Sequence, residues 1–133
     1  MNSLIHTVVL DDQTFYRYGM LHAFGGCSDI RVSGEAATCA DLFALLDRMS
    51  VDVAIVGVNP SGSVEYAEIA RRIKSDYPTV KILAVASEDT DVIIQSMIET
   101  GIDGYISKRQ ASSSELAQAI RCIAAGGIYK SDL

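Results

Sequence analysis

Short β-branched runs alternate along this chain with segments whose apolar residues recur every three to four positions. Residues 5–10 (Ile-His-Thr-Val-Val-Leu) read as a strand that ends in Asp11-Asp12. Residues 30–34 form a second, more polar run, and 53–56 (Val-Ala-Ile-Val) are apolar throughout, as a strand covered on both faces should be. Residues 80–85 and 104–106 complete a set of five. Between them lie helical periods. Tyr16, Met20, Ala23 and Phe24 share a face before Gly25-Gly26, and Leu42, Leu45, Leu46 and Met49 share the next. Ala67, Ile69, Ala70 and Ile73 precede Pro78, while Ile94, Met97 and Ile98 precede Gly101. Leu116, Ile120 and Ile123 end at Gly126-Gly127, and Ser112 with Glu115 is a capping box for that helix.

Five strands alternating with five helices require parallel pairing through βαβ crossovers. The crossovers are right-handed and put helices on both faces of the sheet. The fold class expected is therefore α/β, a doubly wound (βα)5 five-stranded parallel sheet in the flavodoxin-like order 2-1-3-4-5. Residues 1–133 make one domain. In such a sheet the functional crevice lies outside the carboxyl ends of the strands. Those ends carry Asp11 and Asp12, then Gly57 to Pro60, then Ala86 and Ser87, then Lys108. Two adjacent carboxylates and a lysine would thus face one another.

Composition narrows this picture. With 133 residues and a 49% apolar fraction the chain builds a core without staples, and only two prolines argue against disorder. The net charge of −6 argues against this piece binding nucleic acid by itself, since phosphate neutralisation needs a basic face. A basic partner domain elsewhere is compatible with it. No signal-peptide pattern is visible and the apolar runs are too short to span a bilayer, so no membrane role and a cytoplasmic location are expected. Cys27, Cys39 and Cys122 lack metal-ligand spacing and read as small buried side chains. His6 and His22 are too far apart in sequence to suggest a metal site.

Val8-Val9-Leu10-Asp11-Asp12-Gln13 resembles the acidic-pair motif that opens response-regulator receiver domains. Gly101 to Lys108 resembles their fifth-strand motif, with an aromatic three residues before the lysine. Residues 111–116 and 124–129 resemble the closing helix of the NarL/FixJ/LuxR-type branch, and Arg17, Gly19 and Met20 fit it too. The resemblance covers essentially the whole chain. It implies a regulatory, non-enzymatic module and a C-terminal helix-turn-helix domain beyond these residues, through which alone DNA would be bound.

The departures are as informative. Family members carry a phosphate-accepting aspartate at the end of the third strand, and here that position is Gly57. The hydroxyl that engages the phosphoryl group at the end of the fourth strand is replaced by Ala86, with Ser87 next to it. Aspartyl phosphorylation needs a carboxylate nucleophile, and glycine has none. The expectation is an atypical pseudo-receiver with a degenerate acceptor pocket at Asp11, Asp12, Gly57, Ala86 and Lys108. No cofactor is expected, and at most a weak residual metal site at Asp11 and Asp12, because two carboxylates without a third ligand hold magnesium poorly. Lys108 would neutralise the acidic pair rather than sense phosphate. Tyr105, the switch-type aromatic, is either a two-state rotamer or a fixed half-exposed side chain. An anion-binding loop at Ser61-Gly62-Ser63 is outweighed by an ordinary turn.

Helix exteriors suggest a contact surface. Phe15, Tyr18 and Leu21 lie off the core stripe of the first helix, and Ala117, Arg121 and Ala125 make a small-residue exterior on the fifth. A homodimer is expected, through the first and fifth helices or the fourth and fifth. Two other readings stay open: a stand-alone signalling interaction module that binds a regulatory protein, and a small-ligand sensor that uses the vacated acceptor pocket. A flavin carrier is disfavoured because Asp11-Asp12-Gln13-Thr14 would repel phosphate.

Overall fold

In a computed structural model of the chain, which describes residues 4–60, 66–109 and 111–130, one parallel sheet is wrapped on both faces by helices. The elements are β1 (Ile5–Leu10), α1 (Thr14–Phe24), β2 (Ile30–Ala36), α2 (Cys39–Arg48), β3 (Val53–Val58), α3 (Tyr66–Asp76), β4 (Lys81–Ala86), α4 (Asp91–Thr100), β5 (Gly104–Ser107), α5 (Ser113–Ala124) and β6 (Tyr129–Lys130). The strand order is β2-β1-β3-β4-β5-β6. The expected five-strand order 2-1-3-4-5 is present, and a sixth strand extends it.

Strand periodicity divides the core in two. Val8 and Leu10 of β1, Ala54, Val56 and Val58 of β3, and Ile82, Ala84 and Ala86 of β4 face α2, α3 and α4. Val9, Val53, Ile55, Leu83 and Val85 face α1 and α5. Successive side chains of a strand point to opposite faces, so a central parallel strand must be apolar at every position. β3 is buried at all six positions for this reason. Each fully buried Ile, Leu or Val contributes about 1.5–3 kcal/mol.

Local signals set the ends. The Thr38 hydroxyl accepts from the Asp41 N–H at the start of α2, and the Ser112 hydroxyl accepts from the Glu115 N–H at the start of α5. α4 stops at Gly101, whose φ of 101° is the left-handed conformation that lacks a steric cost only in glycine. β6 pairs in parallel with β5, Gly104 opposite Tyr129. Its two residues are too short to show periodicity. What admits it is the bare face of Gly104, where a Cβ would stand 2.6 Å from the Tyr129 carbonyl oxygen. Among the described residues no helix is long and apolar enough to cross a membrane.

One expected exterior position is internal. Ala117 is 3% exposed and packs with Leu116 and Ile120 beneath α5. A stripe of 3.6-residue period is wide enough to take in the position after Leu116, and alanine fits close to the sheet. Ala117 therefore belongs to the core, not to a contact surface.

Candidate functional site

The parallel sheet delivers Asp11, Gly57, Asn59, Ser87 and Lys108 to one end, each at or just after the carboxyl end of its strand. Asp11 follows β1 and is fully buried; its neighbour Asp12 is exposed. The Asp11 backbone is held by the Ala36 carbonyl, which accepts from its N–H at 3.0 Å, and by Arg17 Nη1, which donates to its carbonyl at 2.5 Å. Arg17 is itself 8% exposed, and its Nε donates to Glu35 Oε1 at 2.7 Å. Arg17 thereby clamps the end of β1 against β2.

The Asp11 carboxylate turns into the space that Gly57 leaves. A Cβ at Gly57 would stand 2.1 Å from Asp11 Oδ2 and 2.4 Å from Cγ. The space beside Gly57 is thus filled by the Asp11 carboxylate, not left open as the vacated pocket expected from the sequence. Oδ1 accepts from the Gln13 N–H at 2.8 Å and from Asn59 Nδ2 at 3.0 Å. Oδ2 lies 2.8 Å from Lys108 Nζ, but off-axis for a hydrogen bond, and is the one buried side-chain oxygen or nitrogen lacking a hydrogen-bond partner among the described residues. Its compensation is the charge of the ammonium, in surroundings of low polarity where such pairing counts most.

Asn59 is the hub, and sequence reasoning missed it as a site residue. It is 1% exposed. Its Nδ2 donates to Asp11 Oδ1 and, at 2.6 Å, to Asp12 Oδ1. Its Oδ1 accepts from Ser87 Oγ at 2.6 Å and from Lys108 Nζ at 2.9 Å. Its backbone N–H donates to the Tyr66 hydroxyl at 3.2 Å. The signal available in the sequence was an amide placed two residues after Gly57, on the same loop as the expected pocket.

Lys108 also donates to Gln13 Oε1 at 2.7 Å and sits 4.3 Å from the centroid of the Tyr16 ring, within cation–π range. Burial, reinforced by the nearby Asp11 charge, pushes the Tyr16 phenol up to about 12. Burial likewise raises the Tyr66 phenol.

The remaining expected residues separate. Ala86 is buried at the end of β4. Tyr105 is half-buried and lines a cavity of about 450 Å³ together with Ser87 of the hub, Ile94, Ile98, Glu88, Asp89 and Asp91. Phe15 (92% exposed), Tyr18 and Ala125 are on the surface, and Leu21 is half-buried. Arg121 grips Asp29 by two hydrogen bonds of 2.6 and 2.9 Å, tying α5 to the loop after α1. The three cysteines are free and half-buried. The 61–63 turn lies outside the described residues.

A divalent cation does not fit this arrangement. The position between the two carboxylates is taken by an amide NH2, Gly57 offers no third carboxylate, and no group of three His, Cys, Asp or Glu gathers among the described residues.

A family model, the response regulator receiver domain, matches residues 7–121. The transcriptional regulatory protein YxjL of Bacillus subtilis is 32% identical over 92% of this chain and 55% of its own length, so the chain spans about half of that relative. The signal receiver domain of the NarL response regulator from Mycobacterium tuberculosis shares the fold at a TM-score of 0.82 and 24% identity, over 93% of this chain and 98% of that one. A structure of two RcsB dimers bound to two parallel DNAs superposes at a TM-score of 0.86 and 17% identity, over 98% of this chain and 65% of that one. The chain belongs to the response regulator receiver domain family.

Proposed function

We propose that this chain is a phosphorylation-independent receiver domain, the regulatory and dimerisation module of a LuxR-type transcription regulator. One observation supports the reading: the Asp11 carboxylate is packed into the space where a side chain at position 57 would begin, and Gly57 is the residue that the family resemblance aligns with the phospho-acceptor. A carboxylate nucleophile is absent there, and the neighbouring donors are committed to one another. DNA would be contacted through a C-terminal helix-turn-helix domain outside these residues, as the RcsB dimers on DNA suggest by analogy. The acidic net charge suits a module that leaves that contact to another domain. A cytoplasmic location goes with this reading.

The input that replaces phosphate is a regulatory protein or a small ligand. The cavity between the β4–α4 loop and Tyr105 offers a place for either that the filled space beside Gly57 does not. The experiment is incubation of the chain with a small phosphodonor and magnesium, followed by intact-mass measurement. The expected result is no adduct. An acid-stable, alkali-labile phosphoryl adduct on this chain would overturn the reading.

A further inference from the structure

The amide of Asn59 has two donor hydrogens and a carbonyl oxygen with two lone pairs. All four are used. The donors go to Asp11 Oδ1 (3.0 Å) and Asp12 Oδ1 (2.6 Å), and the oxygen accepts from Ser87 Oγ (2.6 Å) and Lys108 Nζ (2.9 Å). The orientation is dictated by the network. Turned over, the amide would set its oxygen against two carboxylate oxygens and its NH2 against an ammonium.

We propose that Asn59 is a built-in substitute for a bound cation, locking the strand-end loops in one arrangement. The inference rests on the reading of the site as one that takes no phosphate. Two neighbouring carboxylates repel unless something electropositive lies between them. The NH2 group occupies that place as a neutral donor, while Lys108 supplies the charge from the Asp11 Oδ2 side. At the other end of the same amide, the Ser87 hydroxyl and the Lys108 ammonium are drawn onto one oxygen. Ser87 is also the residue whose carbonyl accepts from the Thr90 hydroxyl at the start of α4. One side chain on the loop after β3 therefore fixes the ends of β1, β4 and β5 and the entry to α4. A fully satisfied amide at 1% exposure has no reason to exchange for a hydrated ion. The lock needs no ligand, and replacing its amide by a third carboxylate should turn the carboxylate pair into a cation site.

The test uses Mn2+ alone as the probe on the full 133-residue chain. Wild type should show no saturable Mn2+ binding and no rise in Tm with added Mn2+. Asn59→Asp, which replaces the amide by a third carboxylate, should bind Mn2+ at least about tenfold more tightly and gain Tm with it. Equal binding by wild type and variant overturns the proposal. A second measurement needs no variant: the two Asn59 side-chain amide protons of wild type should give separate, exchange-protected NMR signals that added magnesium leaves in place. Rapid exchange, or displacement by magnesium, overturns it as well. Phosphoryl transfer to wild type would instead defeat the underlying reading of the site, so the two failures are distinguishable.

Discussion

Asp11 and Gly57 share one volume: the carboxylate of the first occupies the space that any side chain on the second would enter, with Oδ2 2.1 Å from the place of a Cβ. Gly57→Ala must therefore push Asp11 off its contacts with Asn59 and Lys108. The expected loss is about 1–3 kcal/mol in urea unfolding, the usual cost of overpacking. In an Asp11→Gly background the same substitution should cost much less. An equal cost in both backgrounds would show that the crowding is not with Asp11. Gly57→Asp should be more destabilising than Gly57→Ala, because it adds a like charge beside a buried carboxylate.

Lys108 is the only cation within ion-pair distance of the buried Asp11 among the described residues. Lys108→Met would leave that charge uncompensated, at a cost of about 3–5 kcal/mol. The double variant Asp11→Asn with Lys108→Met should lose less than Lys108→Met alone, since no buried charge is then left over. Denaturant midpoints of wild type and the two variants check this.

The fold was readable because each strand end coincides with a change of period. β1 is legible over its observed span, parallel pairing follows from the alternation, and the flavodoxin-like topology supplies the order of the first five strands. Local pattern could not show β6, whose two residues pair only because Gly104 lets a carbonyl approach. The site was half readable. Asp11, Asp12 and Lys108 stand out as charges at strand ends, whereas Asn59 carries no charge and Arg17 looks like an ordinary surface cation on a helix. Their roles depend on which loops the sheet brings together. The filling of the space at Gly57 by Asp11 is a matter of packing, which a residue list does not contain.

The exposed aromatics of α1 and the buried alanine of α5 make opposite predictions. Phe15 is 92% exposed, so Phe15→Glu should leave stability within about 0.5 kcal/mol of wild type. If α1 forms the dimer surface, the same variant should sediment as a monomer where wild type sediments as a dimer. Ala117 is 3% exposed, so Ala117→Glu should unfold the domain at markedly lower denaturant by burying a charge without a partner. A Phe15→Glu chain that self-associates as wild type does would remove α1 from the interface.

Tyr16 gives the domain a pH dependence whose sign is fixed by its surroundings. Its phenol is raised from 10.0 to about 12, first by burial and then by the Asp11 charge, so the folded chain favours the neutral form more than the unfolded chain does. The stability that goes with this preference is fully present below pH 10.0 and is lost as pH rises towards about 12, because the unfolded chain releases its proton first. Burial also raises Tyr66, and the hydrogen bond to Asp47 raises Tyr77, so both add to the same alkaline slope. Ultraviolet titration of phenolate absorbance should show a late phase that Tyr16→Phe reduces, leaving the part due to Tyr66 and Tyr77. The unfolding midpoint of Tyr16→Phe should fall less steeply than that of wild type over this range, with the residual slope left by Tyr66 and Tyr77. A late phase of undiminished amplitude in Tyr16→Phe would place the alkaline transition elsewhere in the domain.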